Sequence, residues 1–122
     1  GPGTAPGTLE ALRRHRLRGA VHAFDHRQIA LARSLDPSLP RGVLEVSYPV
    51  DPLHALTMVD GRDLWRNWSF IDEALVQAAK ASGKRIVAWT VNTAEAMERF
   101  ASLGVDAICT DDVALARRVL GA

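Results

Sequence analysis

The sequence predicts an α/β fold, on three observations. Residues 69–120 spell helix, glycine, strand, helix, glycine, strand, helix. Strands joined through single helices run parallel, with right-handed crossovers. Ile86 and Val87 point to opposite faces of their strand and both are apolar, which marks a sheet covered on both sides. Two architectures satisfy this pattern, a small doubly wound sheet and an arc of a (β/α)8 barrel. A whole barrel takes about 250 residues, and this chain has 122.

The elements follow in order. GPGTAPGT at the start is rich in Gly, Pro and Thr and begins without Met, so residues 1–7 are expected to be a linker, a tag remnant or a cut point. Thr8 to Arg16 can form a helix with Leu9 and Leu12 on its apolar side. GAVHAFD, residues 19–25, reads as a strand ending in a polar junction. Ile29, Ala30, Arg33 and Leu35 suggest a helix that stops at DPSLP, and GVLEVSY, residues 42–48, is the next strand. Pro52 to Val59 can be a short helix. DLWRNW, residues 63–68, fits either a strand end or a loop.

The second half is more regular. Ile71, Ala74, Leu75, Ala78 and Ala79 recur at the spacing of a core-facing helix. Ser69 with Asp72 three residues on is a capping-box pattern, and Gly83 stands where a left-handed residue ends a helix. Arg85 to Val91 is a strand. Asn92 with Glu95 three residues later starts the next helix, whose apolar side is Ala94, Met97, Phe100, Ala101 and Leu103, and Gly104 closes it. Val105 to Cys109 is a short strand, and Asp111 or Asp112 can cap a last helix through Leu120. That gives four strands, or five if residues 63–68 pair.

Composition excludes several classes. Hydrophobic residues make up 48% and charged residues 24%, an ordinary globular balance. A net charge of +1 sets up no field for nucleic acid or an anionic membrane, and no apolar run is long enough to span a bilayer. The lone Cys109 excludes an internal disulfide and carries no zinc spacing; its apolar flanks suggest a small buried side chain.

Three strings, HAFDHRQIALARSLDPSLPRGVL, AWTVN and LGVDAICTDD, together resemble the C-terminal half of glycerophosphodiester phosphodiesterases, from about Thr8 to Leu120. Trp-Thr-Val-Asn followed one helix later by Gly-Val-Asp-x-Ile-x-Thr-Asp is specific as a pair. The resemblance implies the C-terminal four to five βα units of a TIM-like (β/α)8 barrel over residues 8–122. It implies a parent enzyme that hydrolyses glycerophosphodiesters to glycerol 3-phosphate and an alcohol with a divalent cation, calcium or magnesium. It places the family's His-Arg-Gly motif, Glu-x-Asp metal ligands and catalytic histidines in the N-terminal half. HRLRG at 15–19 has the letters without the motif, and Glu45 in LEVS has no Asp two residues on. The catalytic and metal-ligating half is therefore expected outside this chain, as the partner that completes the barrel, and the chain alone is expected to be inactive. What the resemblance assigns here is substrate wall: Trp89 beside the glycerol moiety, and Phe24. Ala23 replaces the family's usual Ser, and Val113 its usual Pro. The alternative is a non-catalytic α/β module for a small phosphorylated ligand or a protein partner.

Other polar residues have plainer readings. Asn92 reads as a helix cap rather than a ligand group, and Asp111 and Asp112 as caps rather than metal ligands, since hard cations need further oxygens. His22 and His26 flank Phe24; acid–base work needs a carboxylate partner in reach, so a rim or surface position is expected for both. RRHRLR, 13–18, reads as a solvated helix face, with no interleaved aromatics to stack bases. Trp65 and Trp68 can form a lip for a substrate or staple a loop to the core.

Overall fold

The computed structural model describes residues 4–14 and 18–121. His15 to Leu17, within the RRHRLR and HRLRG strings and including the end of the expected first helix, lie outside the described residues.

Helix α1 (Thr4–Arg14) begins earlier than the sequence suggests, so residues 4–7, expected as linker, are its first turn. Pro6 is tolerated there because its missing N–H would have no intrahelical partner anyway. Ala5 is buried and its N–H donates to Gln28 Oε1 at 3.2 Å, which ties this turn to the next helix. Strand β1 (Val21–Ala23) follows, then α2 (His26–Leu35), capped by Asp25. Strand β2 (Arg41–Glu45), the short α3 (His54–Met58) and β3 (Asp63–Asn67) come next, so residues 63–67 pair as a strand. A 3-10 turn (Trp68–Phe70) leads into α4 (Glu73–Ala81), β4 (Arg85–Trp89), α5 (Ala94–Leu103), β5 (Ala107–Ile108) and α6 (Val113–Leu120).

Two expected caps are displaced. Asp72, not Ser69, caps α4, its carboxylate accepting from Leu75 N at 2.9 Å. The Ser69 hydroxyl instead bonds Asn67 within the 3-10 turn. Thr93, not Asn92, caps α5, accepting from Ala96 N. In both cases the short oxygen side chain immediately before the helix, in extended backbone, is the one that reaches the free N–H groups. Gly83 and Gly104 adopt the left-handed conformations expected of helix ends, at φ of 68° and 91°.

The five strands are all parallel and lie in sequential order, β1-β2-β3-β4-β5. A doubly wound sheet reverses its strand order at a switch point; this sheet does not. With every crossover of one hand, sequential order puts all connecting helices on one face, as in a barrel arc. The core confirms it. Val43, Leu64, Ile86 and Ala88 alternate onto one face and pack with Ile29, Leu56, Leu75, Met97 and Phe100 from the helices. The opposite, inner face carries His22, Gly42, Leu44, Asp63, Trp65, Val87 and Trp89.

The outer strands β1 and β5 each have one neighbour. Beside β1 a cleft of about 190 Å³ is lined by Ala5, Val21, His22 and Ala32. Beside β5 another of about 100 Å³ is lined by Met97, Val105, Ile108 and Leu120. Unpaired edge N–H and C=O groups flanked by apolar clefts are templates for a further strand. The chain alone is therefore expected to self-associate. Sedimentation velocity over a concentration series will show a rising sedimentation coefficient; a concentration-independent monomer with a sharp reversible melt is the opposite result.

Candidate functional site

The carboxyl ends of the strands converge on one rim, and the two expected wall residues meet there. Trp89 is the last residue of β4, and Phe24 follows β1 directly. Although three strands apart in the sheet, their rings contact edge to face, with centroids 5.6 Å apart and planes at 84°. The curvature of the arc brings them together on the inner face. Phe24 is 57% exposed, while the Trp89 indole N–H is buried and has no acceptor among the described residues. An aromatic wall of this kind is suited to the hydrocarbon face of a polyol.

Asn92 explains why the two most distinctive strings of the sequence occur as a pair. Its Oδ1 accepts from Thr110 Oγ1 at 3.1 Å and from Asp111 N at 3.0 Å, and its Nδ2 donates to Asp111 Oδ2 at 2.9 Å. An amide is the neutral group that accepts and donates at once. Asn92 thus ties the exit of β5 to the exit of β4 and fixes the loop that follows Trp89. Asp111 is committed to this bracket, and Asp112 caps α6 through Leu115 N. The expectation that Asn92 serves as a cap is corrected by this geometry; periodicity carries no sign of a bracket between residues so far apart in sequence.

The loops after β2 and β3 are joined by a buried arginine. Arg66 is fully buried, with its Nη2 3.7 Å from Glu45 Oε2. It donates to the carbonyls of Pro52 at 3.1 Å and Phe70 at 3.3 Å, and its guanidinium lies 5.3 Å from the Tyr48 ring centroid. Tyr48 in turn donates to Asp72 Oδ1 at 2.9 Å. Burial pushes Arg66 below its usual pKa, and the Glu45 charge opposes that. In the sequence Glu45 stands alone; its partner comes from the next strand, in register opposite it.

His22 has the carboxylate partner that the sequence does not reveal. Its Nε2 lies 2.9 Å from Asp63 Oδ2, across Gly42. A Cβ at Gly42 would collide with the His22 ring and the Asp63 carbonyl, so glycine permits this contact. Asp63 also receives the Arg62 guanidinium at 2.8 Å and stands 3.5 Å from Arg85 Nε. His22 is thus not a rim residue. The cluster sits at the amino ends of the strands, opposite the rim, where barrel residues serve stability. Burial would raise the Asp63 pKa, but the bonds from Arg62 and His22 and the neighbouring positive charges outweigh it and hold it below 3.8. His26 is half-buried and bonds the Leu44 carbonyl at 3.1 Å, tying α2 to β2.

The two tryptophans separate. Trp65 lies on the inner face with its ring 5.0 Å from His22. Trp68 is 48% exposed and forms a lip. Beside it a cleft of about 390 Å³ is lined by Thr90 to Thr93, Glu95, Ala96, Arg99 and Phe100. Among the described residues no three His, Cys, Asp or Glu side chains converge as a metal site. These residues do not by themselves provide the several oxygen ligands that a hard divalent cation requires.

Comparison with known proteins adds to this geometry. Residues 8–115 match the model of the glycerophosphoryl diester phosphodiesterase family. A glycerophosphodiester phosphodiesterase of Caldanaerobacter subterraneus is 29% identical over 113 residues, 91% of this chain and 46% of that protein. One from Arabidopsis thaliana is 36% identical over 87 residues, 67% of this chain and 26% of that protein. Among solved structures, an Oleispira antarctica phosphodiesterase in complex with the product sn-glycerol-3-phosphate superposes with a TM-score of 0.89 at 24% identity, over 98% of this chain and 49% of that one. A glycerophosphodiester phosphodiesterase from Parabacteroides distasonis gives 0.83 at 21%, over 96% and 50%. The chain spans about half, or less, of the length of the relatives it matches.

Two outcomes follow from the buried charges. The stabilisation from Asp63 is fully present above the unfolded carboxylate pKa and is lost as pH falls through the lower folded value. Thermal melts from pH 6 to about pH 2 will therefore show a shallower acid limb for Asp63→Asn than for the native chain. At neutral pH the variant will be about 1–2 kcal/mol less stable, because the Arg62 and Arg85 charges left behind stay in contact with water. Arg66→Met alone leaves Glu45 buried without a partner and is expected to cost about 3–5 kcal/mol. Adding Glu45→Leu restores most of that loss in urea denaturation.

Proposed function

Because the chain belongs to the glycerophosphoryl diester phosphodiesterase family, we propose that residues 8–122 are the carboxyl-terminal part of a barrel that hydrolyses glycerophosphodiesters. The reaction adds water at phosphorus and breaks the phosphorus–oxygen bond to the alcohol, leaving glycerol 3-phosphate. In this reading Trp89 and Phe24 form the wall against the glycerol moiety. The Asn92 bracket holds that wall in place by locking the loop behind it. The wall excludes water from one side of the substrate and orients the glycerol, and orientation lowers the barrier. The proton-transfer groups, and the ligands of the divalent cation that the family resemblance implies, belong to the segment outside this chain. The cation would neutralise the charge on the phosphodiester.

One observation carries the reading. The two residues singled out as substrate wall, 65 positions apart in the chain, are in ring contact at the carboxyl ends of a sequentially ordered parallel sheet. That is the end at which (β/α)8 enzymes bind their substrates. The relative solved with sn-glycerol-3-phosphate supports the choice of substrate.

The test pairs the chain with the N-terminal half of a relative and assays glycerophosphocholine hydrolysis with calcium or magnesium. The chain alone is expected to give no turnover, and the paired halves to give turnover. Trp89→Ala in the pair is expected to lower kcat/KM by about ten- to a hundredfold. Turnover by the isolated chain, or none by a correctly associated pair, contradicts the proposal.

A further inference from the structure

The wall of Phe24 and Trp89 is aromatic, and a polyol held against it still needs a polar partner for its hydroxyls. Strand β3 supplies one. In the strand register Asn67 stands directly beside Trp89, as Trp65 stands beside Val87. Residues paired across a sheet share a face, and alternate residues of a strand return to it. Leu64 and Arg66 are fully buried on the helix side, so Asn67 belongs to the inner side with Trp65 and Trp89. It is the last residue of β3, half-buried, at the carboxyl-end rim.

The orientation of its amide is fixed. Oδ1 accepts from the Ser69 backbone N–H at 3.0 Å and from the Ser69 hydroxyl. A backbone N–H can only donate, so the end of the amide facing Ser69 is the oxygen and the other end is Nδ2. Nδ2 has no hydrogen-bond partner among the described residues, and unlike the indole nitrogens of Trp65 and Trp89 it is not a buried atom. The turn that sets this orientation is itself anchored, because Arg66 donates to the Phe70 carbonyl at 3.3 Å. Capping the turn uses only the oxygen, a task that Ser, Thr or Asp performs as well. What asparagine adds is a neutral, two-hydrogen donor on the side of the amide away from Ser69, next to the aromatic wall.

We propose that Asn67 is a specificity-determining residue of this site, its Nδ2 donating to a hydroxyl oxygen of the glycerol that lies against Phe24 and Trp89. It selects glycerol phosphate esters over alkyl phosphate esters of the same length. An alkyl chain displaces water from the amide and returns no acceptor, whereas a hydroxyl replaces the lost bond. The inference rests on the reading of Phe24 and Trp89 as the glycerol wall.

Nitrogen-15 NMR of the 122-residue chain tests this, on the chain alone and paired with an unlabelled N-terminal half from a relative. Each sample is titrated with glycerol 3-phosphate and with propyl phosphate, which has the same phosphate and carbon skeleton without the hydroxyls. The side-chain amide signals of Asn67, identified by their absence in Asn67→Ser, are expected to move with glycerol 3-phosphate and to stay in place with propyl phosphate. The native chain is expected to prefer glycerol 3-phosphate, and Asn67→Ser to reduce that preference about three- to tenfold, the effect of one neutral hydrogen bond. Serine keeps an acceptor for the turn, so the variant is expected to melt with the native chain, which separates a lost donor from a lost fold. Asn67 signals that neither compound moves in either sample, or that both move alike, overturn the assignment. So does a preference for glycerol 3-phosphate that Asn67→Ser leaves unchanged. Failure of the underlying hydrolase reading shows elsewhere, as absent glycerophosphocholine turnover by the paired halves, and is read independently of these signals.

Discussion

Parallel strands laid down in sequential order, each joined to the next by a crossover of the same hand, place every helix on one side of the sheet. The other side must then be lined by its own side chains. Here the helix side is a continuous apolar core, and the inner side is mixed: a charged cluster at the amino ends, Leu44, Trp65 and Val87 between, and Trp89 at the carboxyl ends. A flat five-stranded sheet would hold Phe24 and Trp89 about 14 Å apart at the usual spacing between strands. Their contact reports the curvature directly.

Three polar assemblies hold this arc, and each acts between elements rather than within one. The His22–Asp63 contact staples β1 to β3 at the amino ends. Asn92 joins the exits of β4 and β5. Arg66 joins the loops after β2 and β3. The first is stabilising in character, since it lies away from the rim and its carboxylate is saturated with donors. The other two fix the loops that frame the Phe24–Trp89 contact. A buried arginine is an expensive way to hold two loops. What it provides is position, because a planar guanidinium addresses two carbonyls and an aromatic ring at once.

Much of the architecture is legible from residue patterns. Helical stripes such as Ile71 to Ala79 and the glycines that end α4 and α5 depend on local physics, and they locate those elements closely. The displaced caps show where local reasoning stops. Ser69 and Asn92 satisfy the capping pattern, but the hydroxyl of Ser69 is taken by Asn67 and the amide of Asn92 by a loop 18 residues away. Helix α1 begins at Thr4 because Ala5 is buried and bonded to Gln28, a contact that composition does not encode. The site divides the same way. Trp89 and Phe24 are found through resemblance to a family, whereas the His22–Asp63 and Glu45–Arg66 pairs need the strand register before either partner gains meaning. The sequence offers both Trp65 and Trp68 as a lip or a staple; only the exposure of Trp68 and the contact of Trp65 with His22 tell them apart.

At the centre of this account is an arc that lacks the strands completing its ring. Hydrogen exchange at the backbone amides of β1 and β5, measured on dilute monomer and again after addition of an N-terminal half from a relative, probes that point most directly. The account predicts rapid exchange at both edges in the monomer, slow exchange at β3, and marked protection of the edges on pairing. Edge amides as well protected in the isolated monomer as those of β3, and unchanged by the added half, would contradict it.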